Sequence, residues 1–296
     1  MSSTPTLSIG LPVYNGADLL PGALDSLLEQ DFTDFELILS DNGSTDSTPE
    51  ICEKYAQDDA RITFLRGTRN VGAARNYNRT FDLASGRYFK WAAHDDRYEP
   101  AFLRRCVEVL EARPEVVLVY AQATDVGPNG EDLGPVDFEC DTFGPDPVRR
   151  FMEVIRRPHP CFQVFGVMRS DVMANTILHG SYTGADRVLL AQLALCGPWV
   201  EVAERLFLHG EHPDRSVNAY EYEHQRYGWF DPRLQGKVAF PNWRMLGEYG
   251  RVVKAADIAP AERRRAYQAL AGWAGQFRVD LARDLARPIR RKLTRR

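Results

Sequence analysis

The sequence predicts a mostly parallel, doubly wound α/β sheet with helices on both faces. Two observations lead there. Short apolar runs alternate with amphipathic stretches through the first part of the chain. Two of those runs also end in acidic clusters, Asp41-Asn42-Gly43-Ser44-Thr45-Asp46 and His94-Asp95-Asp96. Ligands of open α/β sheets gather at the carboxyl ends of the strands, so two acidic strand ends point to one crevice.

The elements follow in order. Leu7 to Val13 reads as a buried strand stopped near Pro12. Ala17 to Gln30 has apolar residues at helical spacing, and Phe35 to Ser40 is the next strand. Ser47-Thr48-Pro49-Glu50 opens a helix as a capping box with proline in its first turn. Ile62 to Leu65 is a third strand. Gly72 to Ala84 is helical, ended by Gly86. Tyr88 to Ala92 is a fourth strand that delivers Asp95 and Asp96. Pro100 to Ala112 is a helix with Pro114 beyond it, and Val116 to Tyr120 is a fifth strand. From Val126 to Pro160 the chain is rich in Gly, Pro and Asp and is expected to cover the end of the sheet. Ala185 to Cys196 is an amphipathic helix stopped by Gly197-Pro198, Val200 to Leu208 returns as a strand, and the chain from Asn242 on is mostly helical.

Composition narrows the function. A net charge of -4 over 296 residues gives no reason to expect nucleic-acid binding. No stretch approaches the run of about 20 apolar residues that spans a bilayer. The N-terminus lacks the layout of a signal peptide. Cys52, Cys106, Cys140, Cys161 and Cys196 are scattered and never in CxxC spacing, which fits reduced thiols and a cytoplasmic protein.

The charged motifs each admit two readings. Adjacent Asp95 and Asp96 repel unless a cation sits between them. They either hold a divalent ion and a diphosphate or form an exposed turn before a helix, and their place at a strand end favours the former. Asp41 either accepts from a nucleobase ring N–H or serves a turn with Gly43 and Ser44. In Arg69-Asn70-Val71-Gly72-Ala73-Ala74-Arg75-Asn76 a loop enters a helix whose N-terminus suits an anion, and Arg75 either adds a phosphate or base contact or is solvated. Asp186 is either a general base or a favourable acid in a first helical turn. His212, in His209-Gly210-Glu211-His212-Pro213, either completes a metal site or is structural.

Taken in order, these residues resemble the family 2 glycosyltransferases of GT-A fold. The likeness is carried by Pro12-Val13-Tyr14-Asn15-Gly16, Asp41 to Asp46, Asn70-x-Gly72-x-x-Arg75-Asn76, His94-Asp95-Asp96, Gly184-Ala185-Asp186 and His212-Pro213-Asp214-Arg215-Ser216. It covers roughly residues 6 to 216. The joint order is specific; no single element is.

The resemblance implies a GT-A domain over residues 1–216, with a nucleotide-sugar half to about 125 and an acceptor half from about 126, then a mostly helical extension over 217–296. It implies an inverting transfer from a UDP-, GDP- or dTDP-sugar to a glycan or lipid-linked acceptor, in single steps and in cell-surface polysaccharide or other glycoconjugate synthesis. Pro12, Val13 and Tyr14 would line the base pocket with Asn15 beside them, and Asp41 and Asn42 would bind the base. Arg75 would contact base or diphosphate, and Asp95 ribose or metal. Asp96 would coordinate Mn²⁺ or Mg²⁺ with His212 as a further ligand, and Asp186 would be the catalytic base. The sequence departs from the family at Ala93, where many members carry an acid, and at Asn42, which replaces a commoner second acid. The Gln-x-x-Arg-Trp element of processive synthases is absent, since Gln225-Arg226-Tyr227-Gly228-Trp229 has the wrong spacing.

Rival functions fit less well. A sugar nucleotidyltransferase needs a glycine-rich, basic loop after the first strand, and a dehydrogenase needs G-x-G-x-x-G there; neither is present. A non-catalytic nucleotide-sugar-binding protein is disfavoured by the intact Asp41, Asp95, Asp96 and Asp186. The tail, with Arg283, Arg287, Arg290, Arg291, Lys292, Arg295 and Arg296 against Asp284, is either a solvated helix end or a peripheral contact with an anionic inner membrane face.

Overall fold

A computed structural model describes residues 4–138, 140–213, 227–235, 237 and 240–293, with side chains through residue 286. The elements run β1 (Leu7–Val13), α1 (Leu20–Leu28), β2 (Phe35–Asp41), α2 (Thr48–Asp58), β3 (Ile62–Arg66), α3 (Ala73–Asp82), β4 (Tyr88–Trp91), β5 (Arg97–Tyr98), α4 (Phe102–Ala112), β6 (Leu118–Val126), β7 (Asp132–Val136), α5 (Pro147–Arg156), β8 (Val167–Arg169), α6 (Ser170–Met173), α7 (Ala185–Cys196), β9 (Trp199–Gly210), α8 (Tyr227–Phe230), α9 (Pro241–Ala255), α10 (Pro260–Gln276) and α11 (Arg278–Leu293).

The strands form one sheet in the order β3-β2-β1-β4-β8-β6-β9-β5, with β7 paired to β6. The block β3-β2-β1-β4 is parallel. Every residue of β1 is buried, as expected of a central strand covered on both faces. Beyond β4 the sheet is mixed: β8 runs antiparallel to β4 and β6, β9 parallel to β6, and β5 antiparallel to β9. From β1 the chain builds outward through β2 and β3, then returns to place β4 on the other side. The crevice between the carboxyl ends of β1 and β4 is therefore the topological switch point.

Two apolar clusters sandwich the sheet. Leu7, Ile9, Leu11, Leu24, Leu27, Leu103 and Leu110 join β1, α1 and α4 on one side. Phe89, Trp91, Val188, Phe151, Tyr249 and Trp273 join β4, α7, α5, α9 and α10 on the other. The C-terminal helices thus share a core with the sheet: Tyr249 meets Phe151 and Trp273 edge-on, with ring centroids 6.2 and 5.6 Å apart. Each fully buried leucine or aromatic contributes about 1.5–3 kcal/mol of transfer free energy.

Several expectations need correction. The segment from Val126 to Pro160 is not only a cover; it holds β7, which forms a hairpin with β6, and the ten-residue helix α5. The expected strand at Val116 to Tyr120 starts at Leu118 and runs to Val126, because β9 pairs along its whole length. The capping box at Ser47 is not made: Ser47 occupies the N-cap position of α2 without a side-chain capping bond. Asp46 does the work instead, accepting from Thr48 N at 3.1 Å and Ala17 N at 3.3 Å. Residues 214–216 of the late His-x-x-x-Ser element, Gln225 and Arg226, and the side chains of the basic tail from Arg287 on lie outside the described residues.

Candidate active site

Parallel register fixes the first wall of the crevice. Val13 of β1 stands opposite Asp41 of β2, and Asn42 N donates to Val13 O at 2.9 Å. Pro12 and Val13 are buried, whereas Tyr14 is 41% exposed at the strand end. The Asp41 carboxylate is fully buried and accepts from Ser44 N at 3.0 Å. Asn15, with a left-handed φ of 49°, locks this loop to its neighbour: its N–H donates to Ser44 Oγ at 2.8 Å, and its Oδ1 accepts from Thr45 N at 2.9 Å. Asn42 reaches the third loop, donating to Asn70 Oδ1 at 3.1 Å and accepting from Val71 N at 2.9 Å. Its amide therefore braces the entrance to α3. Asn76 ties α3 to β2 by exchanging hydrogen bonds with Ser40, each 2.8 Å long. Arg75, one residue earlier, is exposed, and its charge reaches Asp231, whose carboxyl is held at about 2 first by the hydrogen bond from Arg233.

The second wall comes from the turn after β4. The two-residue strand β5 pairs with β9, Arg97 opposite Leu208 and Tyr98 opposite Phe207. That pairing carries the end of β9 onto the aspartate pair. Gly210 N donates to Asp96 Oδ1 at 3.0 Å, and His212 Nε2 lies 3.0 Å from Asp95 Oδ2. A side chain at Gly210 has no room, since a Cβ there would sit 2.0 Å from Asp95 O. Burial alone would push the Asp95 carboxyl up, but the hydrogen bond from His212 and the charges of His94 and His212 outweigh it and hold it at about 2. Asp96 is buried, at 3% exposure.

Beneath this turn lies Lys90, fully buried. Its Nζ donates to Trp91 O at 3.0 Å and sits 3.6 Å from the Tyr98 ring centroid. Burial lowers it to about 7, against the opposing influence of Cys106 and Asp96.

The third wall is the start of α7. Asp186 lies in its first turn and accepts from Arg187 N at 2.8 Å. Around it stand Cys161, Tyr182 and Tyr249. The Cys161 thiol is pushed well up by burial, by the Asp186 charge and by a hydrogen bond to it. Tyr182 and Tyr249 are raised by burial, with Asp186 adding to both.

One residue that the sequence did not single out joins the walls. Tyr77 of α3 has its phenol pushed up by burial and then by the charges of Asp95, Asp96 and Asp186. The charges of all three carboxylates therefore reach one phenol. Arg75 and Asn76 were visible in the loop motif; Tyr77 follows them directly but carries no charge or spacing signal.

Asp95, Asp96 and His212 suit a divalent ion in chemistry, offering two hard carboxylates and an imidazole. A second group, also unassigned from sequence, is closer together. Ligand atoms of Asp125, His209 and Glu211 lie within 4.8 Å of one another, with His209 Nδ1 2.7 Å from Asp125 Oδ1. The signal for it was the clustering of His209, Glu211 and His212 at the end of β9, with Asp125 opposite His209 on β6.

Residues 8–172 match the family described as Glycosyl transferase family 2. An uncharacterized glycosyltransferase of Rickettsia typhi is 36% identical over 107 residues, 36% of this chain and 32% of that protein. The hyaluronan synthase of Pasteurella multocida is 29% identical over 130 residues, 44% of this chain and 13% of that protein. The matched stretch thus spans a third or less of these relatives. Among solved structures, S. aureus TarS residues 1–349 in complex with UDP superposes with a TM-score of 0.65 at 15% identity, covering 92% of this chain and 71% of that one. A mannosyltransferase from Pyrobaculum calidifontis in complex with GDP-Man and Mn²⁺ gives 0.52 at 18% identity, covering 99% and 84%. At such identities the likeness is one of fold.

Proposed function

This chain belongs to glycosyl transferase family 2 and has the GT-A fold, and on that premise we propose that it moves a glycosyl group from a nucleoside-diphosphate sugar to an acceptor hydroxyl in one inverting displacement. The observation that carries the reading is the gathering of Asp95, Asp96 and His212 at one strand end, with the charges of Asp95, Asp96 and Asp186 all reaching the Tyr77 phenol. Inversion needs the leaving diphosphate on one side of the sugar and a base on the other. Asp95 and Asp96 after β4 and Asp186 at the start of α7 come from separate elements and are assigned to those two sides.

In this reading the nucleotide lies along the ends of β1 and β2. Pro12, Val13 and exposed Tyr14 line the base pocket, and Asp41 accepts from the base. Asn15 and Asn42 hold the loops that shape it, and Arg75 at the α3 N-terminus faces the diphosphate. Asp95, Asp96 and His212 hold a divalent ion, Mn²⁺ or Mg²⁺. When bound, it supplies positive charge to the departing diphosphate. Asp186 accepts the proton of the attacking hydroxyl. The name of a relative such as the hyaluronan synthase supports a role in polysaccharide or glycoconjugate synthesis; a glycan or lipid-linked acceptor belongs to the same proposal. No described helix is long and apolar enough to cross a membrane; a peripheral contact through the basic tail belongs to the same proposal.

The test is calorimetric titration of the full chain with UDP, GDP, dTDP and CDP, each with and without Mn²⁺, followed by NMR of the product's anomeric configuration. Metal-dependent binding of one nucleotide and an inverted product support the reading. A retained configuration sinks the single-displacement mechanism, and no binding to any nucleotide or nucleotide sugar sinks the enzyme assignment.

A further inference from the structure

The loop between α6 and α7 is pinned on either side of Leu178. Ile177 N donates to Gln192 Oε1 of α7 at 2.9 Å. His179 N donates to Asn78 Oδ1 of α3 at 2.9 Å, and Asn78 Nδ2 donates back to His179 O at 3.0 Å. Between these ties Leu178 is held at φ 51°, a left-handed conformation that a leucine adopts only when its surroundings force it. The outcome of this local strain is the placement of one side chain. The His179 ring lies 5.0 Å from the Tyr77 ring and 5.6 Å from that of Trp91. Its Nδ1 is buried and has no hydrogen-bond partner among the described residues.

A buried polar nitrogen without a partner is costly and rare, so an orphan beside the Tyr77 and Trp91 rings calls for a ligand atom. Its position says which one. Tyr77, whose ring lies tilted at 41° beside that of His179, is the residue that feels Asp95, Asp96 and Asp186 together. The part of the reactants lying between the diphosphate side and the base is the sugar being transferred. Burial lowers the His179 pKa and the Asp186 charge only partly opposes it, so the ring is neutral near pH 7 and has one donor and one acceptor nitrogen. Such a group matches a sugar hydroxyl, which both donates and accepts.

Resting on the transferase reading above, we propose that His179 Nδ1 hydrogen-bonds a hydroxyl of the glycosyl group being transferred, making His179 a sugar-specificity residue and Tyr77 the platform that orients it. The nucleotide part of the donor does not reach it.

The experiment compares matched probes, UDP with UDP-GlcNAc and GDP with GDP-mannose, titrated calorimetrically in Mn²⁺ against the full-length wild type, His179→Leu and His179→Asn. The probe pair that wild type binds is the one read. The proposal expects His179→Leu to bind the nucleoside diphosphate within about twofold of wild type but the nucleotide sugar about tenfold more weakly. His179→Asn, which keeps a polar atom near the Nδ1 position, recovers part of that loss. Equal weakening of both probes, or no change in either, overturns it, because a purely structural role does not distinguish them. Failure of wild type to bind any of the four probes, and dTDP and CDP as well, fells the transferase reading, and this inference with it. Tight wild-type binding with indifferent variants fells this inference alone.

Discussion

His212 Nε2 stands 3.0 Å from Asp95 Oδ2, across 117 residues of sequence. The pairing exists because β5, only two residues long, hydrogen-bonds to β9 and draws the end of that long strand over the turn after β4. A strand end, an aspartate pair and an imidazole are thereby assembled from distant parts of the chain.

If that assembly holds the divalent ion, removing either end of it weakens metal-dependent binding and nothing else. His212→Ala and Asp96→Ala are each expected to lower nucleoside-diphosphate affinity in Mn²⁺ by about tenfold or more, within the range found when ligands and their supports are lost. Metal-free affinity should stay near wild type. Calorimetry with and without Mn²⁺ reads both. Unchanged Mn²⁺-dependent affinity in Asp96→Ala removes it from the metal site, and a loss confined to Asp125→Ala would move the ion to the Asp125, His209 and Glu211 group.

The proton acceptor can be separated from the binding site. Asp186→Asn keeps the size and the hydrogen bond from Arg187 N but cannot take a proton. Transfer is expected to fall by about 10²–10⁴-fold, with nucleotide affinity nearly intact, since Asp186 stands on α7 and not on the β1 and β2 ends. A product assay beside calorimetry decides; turnover at the wild-type rate rules out Asp186 as the base.

How much of this was legible follows from the range of each signal. β1 to β4 and their helices announced themselves because each buried strand is a short apolar run and each helix a 3.6-residue pattern. Asp41, Asp95 and Asp96 were legible because charge at a strand end is conspicuous. β5 and β8, two and three residues long, are too short to show a period. α5 was hidden by the Gly, Pro and Asp around it, although Asp146 caps it and Pro147 opens it. Tyr77 and His179 could not be read at all, because an aromatic or a histidine gains meaning only from what the fold brings beside it. Ser47 shows the opposite error: its local pattern was right for a cap, and Asp46 took the position's work.

Gly72 links the loop entering α3 to the chain that returns near it. It has φ 94°, and a Cβ there would lie 2.3 Å from Phe230 O. Gly72→Ala is expected to cost about 2 kcal/mol or more, from conformational strain and the displaced backbone. Gly247, exposed in α9, is the control: its Cβ would meet nothing within 4 Å, so Gly247→Ala should stabilise by about 0.5–1 kcal/mol. Urea midpoints of both variants check the pair. Equal effects would mean that the close approach to Phe230 is not maintained in solution.

Lys90 gives the pH prediction. Its folded pKa of about 7 lies below the ordinary 10.5, because burial disfavours the charged amine. A depressed folded pKa means that the lysine costs nothing above pH 10.5. The cost grows as pH falls through the window from 10.5 to about 7 and is constant below it. Its ceiling is about 4–5 kcal/mol. Against this, Lys90→Met forfeits the contact with the Tyr98 ring, about 2 kcal/mol when desolvated, and the bond to Trp91 O, about 1 kcal/mol. Lys90→Met is therefore expected to stabilise the protein by about 1–2 kcal/mol at pH 6.5. The gain should shrink as pH rises and be reversed near pH 10.5, where little of the desolvation cost remains in the wild type. Urea unfolding of both proteins at the two pH values reads the difference. A difference independent of pH would show that Lys90 keeps an ordinary pKa, with water or a carboxylate reaching its amine in solution.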